Sequence, residues 1–198
     1  MVYDDRTTVY QIKAYYGQTL SSTKDLLTST CCCSGSLPPA QRAALALIDK
    51  EILAKFYGCG SPIPEGIEGC TVLDLGCGSG RDAFIAAKPV GPQGKVIGVD
   101  MTGEQLAVAK RHAEFQAARF GDASPSMDFR RGYIEDLAAA GIADNSVDLV
   151  ISNCVFNLSP RKERHFRVTG DTSVHFGPFN CSPAAESAER SARGGGFC

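Results

Sequence analysis

The chain has 198 residues, 43% hydrophobic and 21% charged, the balance of an ordinary globular domain. Lys and Arg number 20 against 22 Asp and Glu, a net charge of −2 that argues against a face tracking nucleic-acid phosphates. No apolar run reaches the roughly 18 residues of a membrane span, and the polar opening with Asp4, Asp5 and Arg6 lacks the basic-then-apolar pattern of a secretory signal, so the chain reads as cytoplasmic.

Val9, Ile12, Tyr15 and Tyr16 recur at spacings of three and four and predict an N-terminal helix that ends near Gly17. Residues 31–39 form a breaker-rich loop with three consecutive cysteines and a Pro38-Pro39 pair. Ala43, Ala44, Leu47, Ile48 and Ile52 predict one amphipathic helix running to about Phe56, stopped by Gly58, Gly60, Pro62 and Pro64. From residue 69 the pattern changes. Residues 71–75 are a short, almost continuously apolar run, as in a buried parallel strand. A glycine-rich turn follows, then a helix over 82–87 and a strand over 95–100. Thr102 is placed to cap a helix over 103–120. A third strand over 127–132, a short helix over 137–140 and a fourth strand over 146–152 complete the series. Such alternation predicts a parallel α/β sheet with its ligand beyond the carboxyl ends of the strands. Beyond Leu158 there is no further Leu, Ile, Met or Tyr, and residues 169–198, rich in Gly, Ser, Ala and Arg, are expected to be disordered.

The turn Asp74-Leu75-Gly76-Cys77-Gly78-Ser79-Gly80 sits between a strand and a helix. Glycine there allows a sharp turn and close backbone approach to a ligand, and the helix beyond it offers free N–H groups. A dinucleotide fingerprint would place its third glycine one residue later, and a phosphate-cradling loop would need Lys followed by Ser or Thr. The pattern D-L-G-x-G-x-G resembles that of Rossmann-like, S-adenosylmethionine-dependent methyltransferases. Asp100 ends the second strand, where a carboxylate can accept hydrogen bonds from both ribose hydroxyls. Met101 can offer an apolar face to the adenine, and Ile134 and Glu135 follow the third strand where the adenine edge would lie. The bland alternative is a tight strand–helix turn with no ligand.

Nine cysteines, an odd number without a secretory signal, suggest reduced thiols that serve metals, metalloids or redox chemistry. Trivalent arsenic is soft and thiophilic. Its lone pair can take a methyl group without a base, whereas an oxygen or nitrogen acceptor must usually lose a proton. Here the sequence resembles the arsenite methyltransferases. The resemblance runs over about residues 9–168 and includes Tyr15-Tyr16-Gly17, Thr28-Ser29-Thr30-Cys31-Cys32, Tyr57-Gly58-Cys59-Gly60, the D-L-G-C-G-S-G-R-D turn ending at Asp82, and Ser152-Asn153-Cys154-Val155. It implies a class I methyltransferase core, S-adenosylmethionine as cofactor, and arsenite or methylarsenite as substrate. It further implies Cys31 (or Cys32), Cys59 and Cys154 as the arsenic-holding thiols. Asp74, Gly76, Gly78, Gly80, Asp100, Met101, Ile134, Glu135 and Asn153 would form the cofactor site. A thiol reductant such as glutathione or thioredoxin would restore the trivalent state. The enzyme would be monomeric and serve arsenic detoxification. Which of Cys31, Cys32 and Cys33 holds arsenic stays open, Cys32 and Cys33 being as readily bystanders of Cys31; Cys70 and Cys77 are read as small buried apolar side chains, Cys181 and Cys198 as without a role, and His112, His165 and His175 as solvent-side.

The motif resemblance stops at Val168, where the composition shifts. The expected organisation is an N-terminal helical and cysteine segment (1–68), a partial Rossmann-like domain (69–168) and a disordered tail (169–198). The core would then hold four parallel strands instead of seven, with an open fourth edge, as in a truncated or frameshifted form of weak stability and low activity. The competing readings are a methyltransferase for another small molecule and a non-catalytic, thiol-rich metalloid-binding module.

Overall fold

The computed structural model describes residues 5–20, 37–58, 60–121, 125–159 and 173–176. Helix α1 (Asp5–Ala14) runs into a π-helical turn (Tyr15–Thr19), and Gly17 lies inside that turn instead of ending the helix before it. The single helix expected over 43–56 is two: α2 (Pro39–Leu45) and α3 (Lys50–Ala54). Asp49 causes the break. Its backbone is extended, and its carboxylate accepts from the Glu51 N–H as an N-cap. The carbonyl of Leu47, freed by the interruption, accepts from Gln116 and Arg119.

The sheet strands are β1 (Thr71–Leu75), β2 (Lys95–Asp100), β3 (Ser126–Arg131), β4 (Leu149–Ser152) and β5 (Ser173–Phe176), joined in the order β3-β2-β1-β4-β5 with every pairing parallel. Helices α4 (Arg81–Val90) and α5 (Gly103–Phe120) link the first three strands. Thr102 stands at the N-cap of α5 without capping it through its side chain. Its N–H and its hydroxyl both turn to the Asp100 carboxylate. The helix expected over 137–140 is a succession of turns.

The four expected strands are present, and a fifth joins them. β5 lies in the segment expected to be disordered. It pairs with β4, Leu149 opposite Ser173 through Ser152 opposite Phe176, and so closes the edge that four strands would have left open. Val174 also packs beside the apolar cluster of one sheet face. The apolar residues alternate between the two faces. Val72, Val96 and Ile151 pack with Phe84 and Ile85 of α4, Leu106 and Val108 of α5, and Ile48 and Ile52 around α3. Leu73, Leu75, Ile97, Val99 and Val150 pack on the other face with Ile134, Ile142 and Val147. β1 sits where the strand order reverses, between β2 and β4. In parallel sheets that reversal point opens a crevice at the carboxyl ends.

Candidate functional site

A cavity opens at that reversal point. Asp74, Gly76 and Gly78 from the end of β1 and its turn line one wall, with Asp100 and Met101 from the end of β2. Ile134, Glu135, Asn153 and Cys154 line it as well. Of the nine cofactor residues expected from sequence, Gly80 alone does not line it. Gly80 is the N-cap of α4, with φ +89, and an added Cβ would stand 2.8 Å from the ring of Phe84. Its task is close packing of α4 onto the core.

The other two glycines differ in a way that marks the ligand side. A Cβ on Gly76 would lie 2.2 Å from Val155 Cγ2, inside the fold. A Cβ on Gly78, at φ +53, would meet nothing within 4 Å, so the space in front of it belongs to the cavity. The Gly78 N–H donates to Asp100 Oδ2 at 2.9 Å and the Thr102 N–H to Oδ1 at 2.7 Å. The carboxylate is thereby fixed, and it keeps lone-pair capacity for a further donor.

Charge in the cavity is unbalanced. Asp74, Asp82 and Asp100 are all buried, and burial is the first cause that pushes each carboxyl above the usual range. Arg81 offsets Asp82 at 2.7 Å. Asp74 is only 2% exposed, its Oδ2 has no hydrogen-bond partner, and its neighbours Asp82 and Asp100 raise its carboxyl further. A buried acceptor left over beside two more acids suits a cationic donor. S-adenosylmethionine carries an ammonium, a sulfonium and two ribose hydroxyls. The residues present therefore fit it: Asp74 for cationic charge, Asp100 for the hydroxyls, Gly78 for close approach, and Met101 and Ile134 as apolar contacts for the base.

Cys154 stands just past β4 with φ +59, a left-handed backbone that a non-glycine residue rarely adopts. The segment before Cys59 lies against the residue before Cys154. A Cβ on Gly58 would fall 2.7 Å from Asn153 Cγ. Cys59 itself, with Cys31, Cys32, Cys33, Cys181 and Cys198, lies outside the described residues, so the expected convergence of Cys31, Cys59 and Cys154 is not observed directly. Among the described residues no group of three metal-ligating side chains occurs. Cys77, in the turn itself, is buried though it borders the cavity, and burial with Asp100 and Asp74 nearby holds its thiol well above its ordinary pKa. It is inert packing, as read from sequence. Cys70 is half-buried. His112 is not solvent-side: it is partly buried and its Nε2 lies 2.8 Å from Glu51.

Three residues of the site were not singled out from sequence. Tyr16 lines the cavity and packs against Tyr57 with the rings tilted by 53° and their centroids 5.7 Å apart. Burial, and then Tyr15, Cys154 and Tyr57, raise its hydroxyl. Gln105 lines the cavity and holds the Tyr16 carbonyl at 3.1 Å. Asp82 accepts from Asn153 Nδ2 at 2.7 Å. The Tyr15-Tyr16-Gly17 and Arg81-Asp82 blocks were visible as motifs, but which side chains face the cavity depends on tertiary packing.

The methyltransferase-domain family matches residues 67–196. The arsenite methyltransferase of Aquipseudomonas alcaligenes is 50% identical over 156 residues, 79% of this chain and 44% of that protein. The arsenite methyltransferase of Homo sapiens is 38% identical over 179 residues, 90% of this chain and 48% of that protein. An X-ray crystal structure of an arsenic(III) S-adenosylmethionine methyltransferase from Chlamydomonas reinhardtii superposes with a TM-score of 0.67 at 47% identity, covering 80% of this chain and 56% of that one. The chain thus spans about half the length of these relatives. The family match runs through β5 and past Val168, where the motif resemblance ends. With its parallel sheet, glycine turn and buried acid at the end of β2 all in place, the chain belongs to the methyltransferase-domain family.

Proposed function

We propose that this chain carries the methyl-transfer half of an arsenite methyltransferase: it binds S-adenosylmethionine in the cavity at β1 and β4 and presents thiol-bound trivalent arsenic to it. The observation that carries the reading is Cys154, held in a left-handed conformation on the rim of the same cavity as Asp74, Gly78 and Asp100. Bound there, the cofactor supplies a methyl group activated by its sulfonium. The chain's own part is positioning. Asp100 and Asp74 anchor the two ends of the donor, and Cys154, with Cys59 and Cys31 or Cys32, holds arsenic by soft thiolate ligation. Arsenic's lone pair needs no base, so no general base is assigned. Orientation and exclusion of water by Tyr16, Tyr57 and Ile134 supply the acceleration. Glutathione or thioredoxin would return the oxidised product and the enzyme thiols to the reduced state. Among the described residues no helix is long and apolar enough to cross a membrane.

The test is to incubate the purified chain with arsenite, S-adenosylmethionine and a thiol, then to speciate the arsenic. Methylated arsenic is expected from the parent, and Cys154→Ser should reduce it at least about a hundredfold, as loss of a positioning ligand does. Equal turnover by Cys154→Ser would refute the assignment.

A further inference from the structure

Arg81 is not where helix formation would put it. It opens α4, and a cation at a helix N-terminus opposes the helix dipole. Arginine is also rarely buried unless it is paired, yet this residue is only 7% exposed. Its contacts supply the reason. Nη1 donates to the Gly60 carbonyl at 2.8 Å and to Asp82 Oδ1 at 2.7 Å. The guanidinium carbon lies 4.1 Å over the ring of Phe56. Phe56 and Gly60 bracket the Tyr57-Gly58-Cys59-Gly60 block, so Arg81 grips that block at both ends. The second oxygen of Asp82 accepts from Asn153, the residue before Cys154. Gly58 closes the loop of contacts, because any side chain there would strike Asn153 and Phe56, both at 2.7 Å.

We propose that Arg81 is a positioning residue that fixes the spacing between the backbone carrying Cys59 and the backbone carrying Cys154, and so decides whether both thiols reach one arsenic atom. The proposal rests on the arsenic reading above for its ligand. The span itself is a property of the chain alone. Its links are Gly60 to Arg81, Arg81 to Asp82 and Asp82 to Asn153. Arg81 itself does not line the cavity, whereas Phe56, Asp82 and Asn153, through which it acts, do. Lysine replaces it poorly: an ammonium keeps the charge but lacks the flat guanidinium face that lies over the Phe56 ring while Nη1 donates to Gly60 and Asp82.

Two variants test this, Arg81→Lys, and Gly58→Ala, which pushes the block off Asn153 while leaving the Arg81 and Asp82 side chains unsubstituted. Three quantities are read on the full chain: arsenite retained, S-adenosylmethionine affinity by calorimetry, and the rate of Cys59 alkylation resolved by mass spectrometry. Arg81→Lys should bind arsenite about tenfold more weakly, the worth of one charge-assisted hydrogen bond. Its cofactor affinity should change less than about threefold, and Cys59 should be alkylated several-fold faster. Gly58→Ala should show the same arsenite loss and the same rise in alkylation. Parent-like arsenite retention and alkylation in both variants would overturn the proposal. So would cofactor affinity falling in step with arsenite in Arg81→Lys, which would mean general loosening. Should the parent retain no arsenite, the arsenic reading fails by itself, and the alkylation rates still decide whether Arg81 sets the span.

Discussion

Asp74 shows how one buried atom can serve two states of a protein. Without a ligand its carboxylate is a burden: Oδ2 lacks a partner, and burial with two neighbouring acids raises its pKa. The native state therefore holds a proton there more tightly than the unfolded chain. The sign of the pH dependence follows. Stability from this group is complete below the unfolded carboxyl pKa and is lost as pH rises through the raised native value. Asp74→Asn removes the titration while keeping an oxygen for the Ala83 N–H. The cofactor-free variant is expected to melt higher than the parent near neutral pH, with a flatter profile, and to bind S-adenosylmethionine at least about tenfold more weakly. Melting curves from about pH 5 to about pH 8 check the first part, and a parent-like slope would contradict it. Cys154 is a second such residue. Glycine adopts its φ of +59 freely, so the strain relieved in Cys154→Gly offsets the entropy a glycine adds to the unfolded chain. Its stability should stay within about 1 kcal/mol of the parent while arsenic binding is lost.

At the scale of elements, the turn between β1 and α4 separates folding from binding. Gly76→Ala drives a methyl into Val155 and imposes strain at φ +72, so it should destabilise by about 3 kcal/mol or more. Gly78→Ala meets no protein atom and pays only for its left-handed backbone, about 1 kcal/mol, yet it fills space in front of the cofactor site. Urea titration and calorimetry on the pair should show opposite profiles: Gly76→Ala weak in folding, Gly78→Ala weak in cofactor affinity. This turn was legible because glycine spacing, the preceding apolar run and Asp100 are local signals. β1 and β2 could be read to the residue for the same reason, each being an apolar run between turn residues. The interruption at Asp49 was not, since periodicity continues through it and only a side-chain cap reveals the stop. β5 escaped because Ser173–Phe176 holds only two strongly apolar residues amid a polar tail, too few to mark a strand by pattern. The contact of Arg81 with Gly60 was beyond reading for a similar reason: no local pattern brings residues 21 apart together.

For the molecule as a whole, β5 decides how the sheet ends. Val174 pairs opposite Val150 and packs on the second core cluster, whereas the cavity residues sit at or past the ends of β1, β2, β3 and β4. Val174→Pro removes a ladder donor and apolar contact, for an expected loss of about 2 kcal/mol. The urea midpoint should fall while cofactor affinity in the absence of urea stays within about threefold. An unchanged midpoint would mean that β5 adds nothing to stability. The central place of β1 has another result. Its end is completed by β4, with the Thr71 N–H on Asp148 and the Leu75 carbonyl on Ser152, each 77 residues away. During synthesis β1 leaves the ribosome well before that flank exists. A nascent chain shorter than about Ser152 exposes an apolar strand with an unfilled side, and is then most in need of a chaperone. Slow translation across residues 76–148 should therefore lengthen the period of greatest aggregation risk, even though the finished protein shows no trace of it.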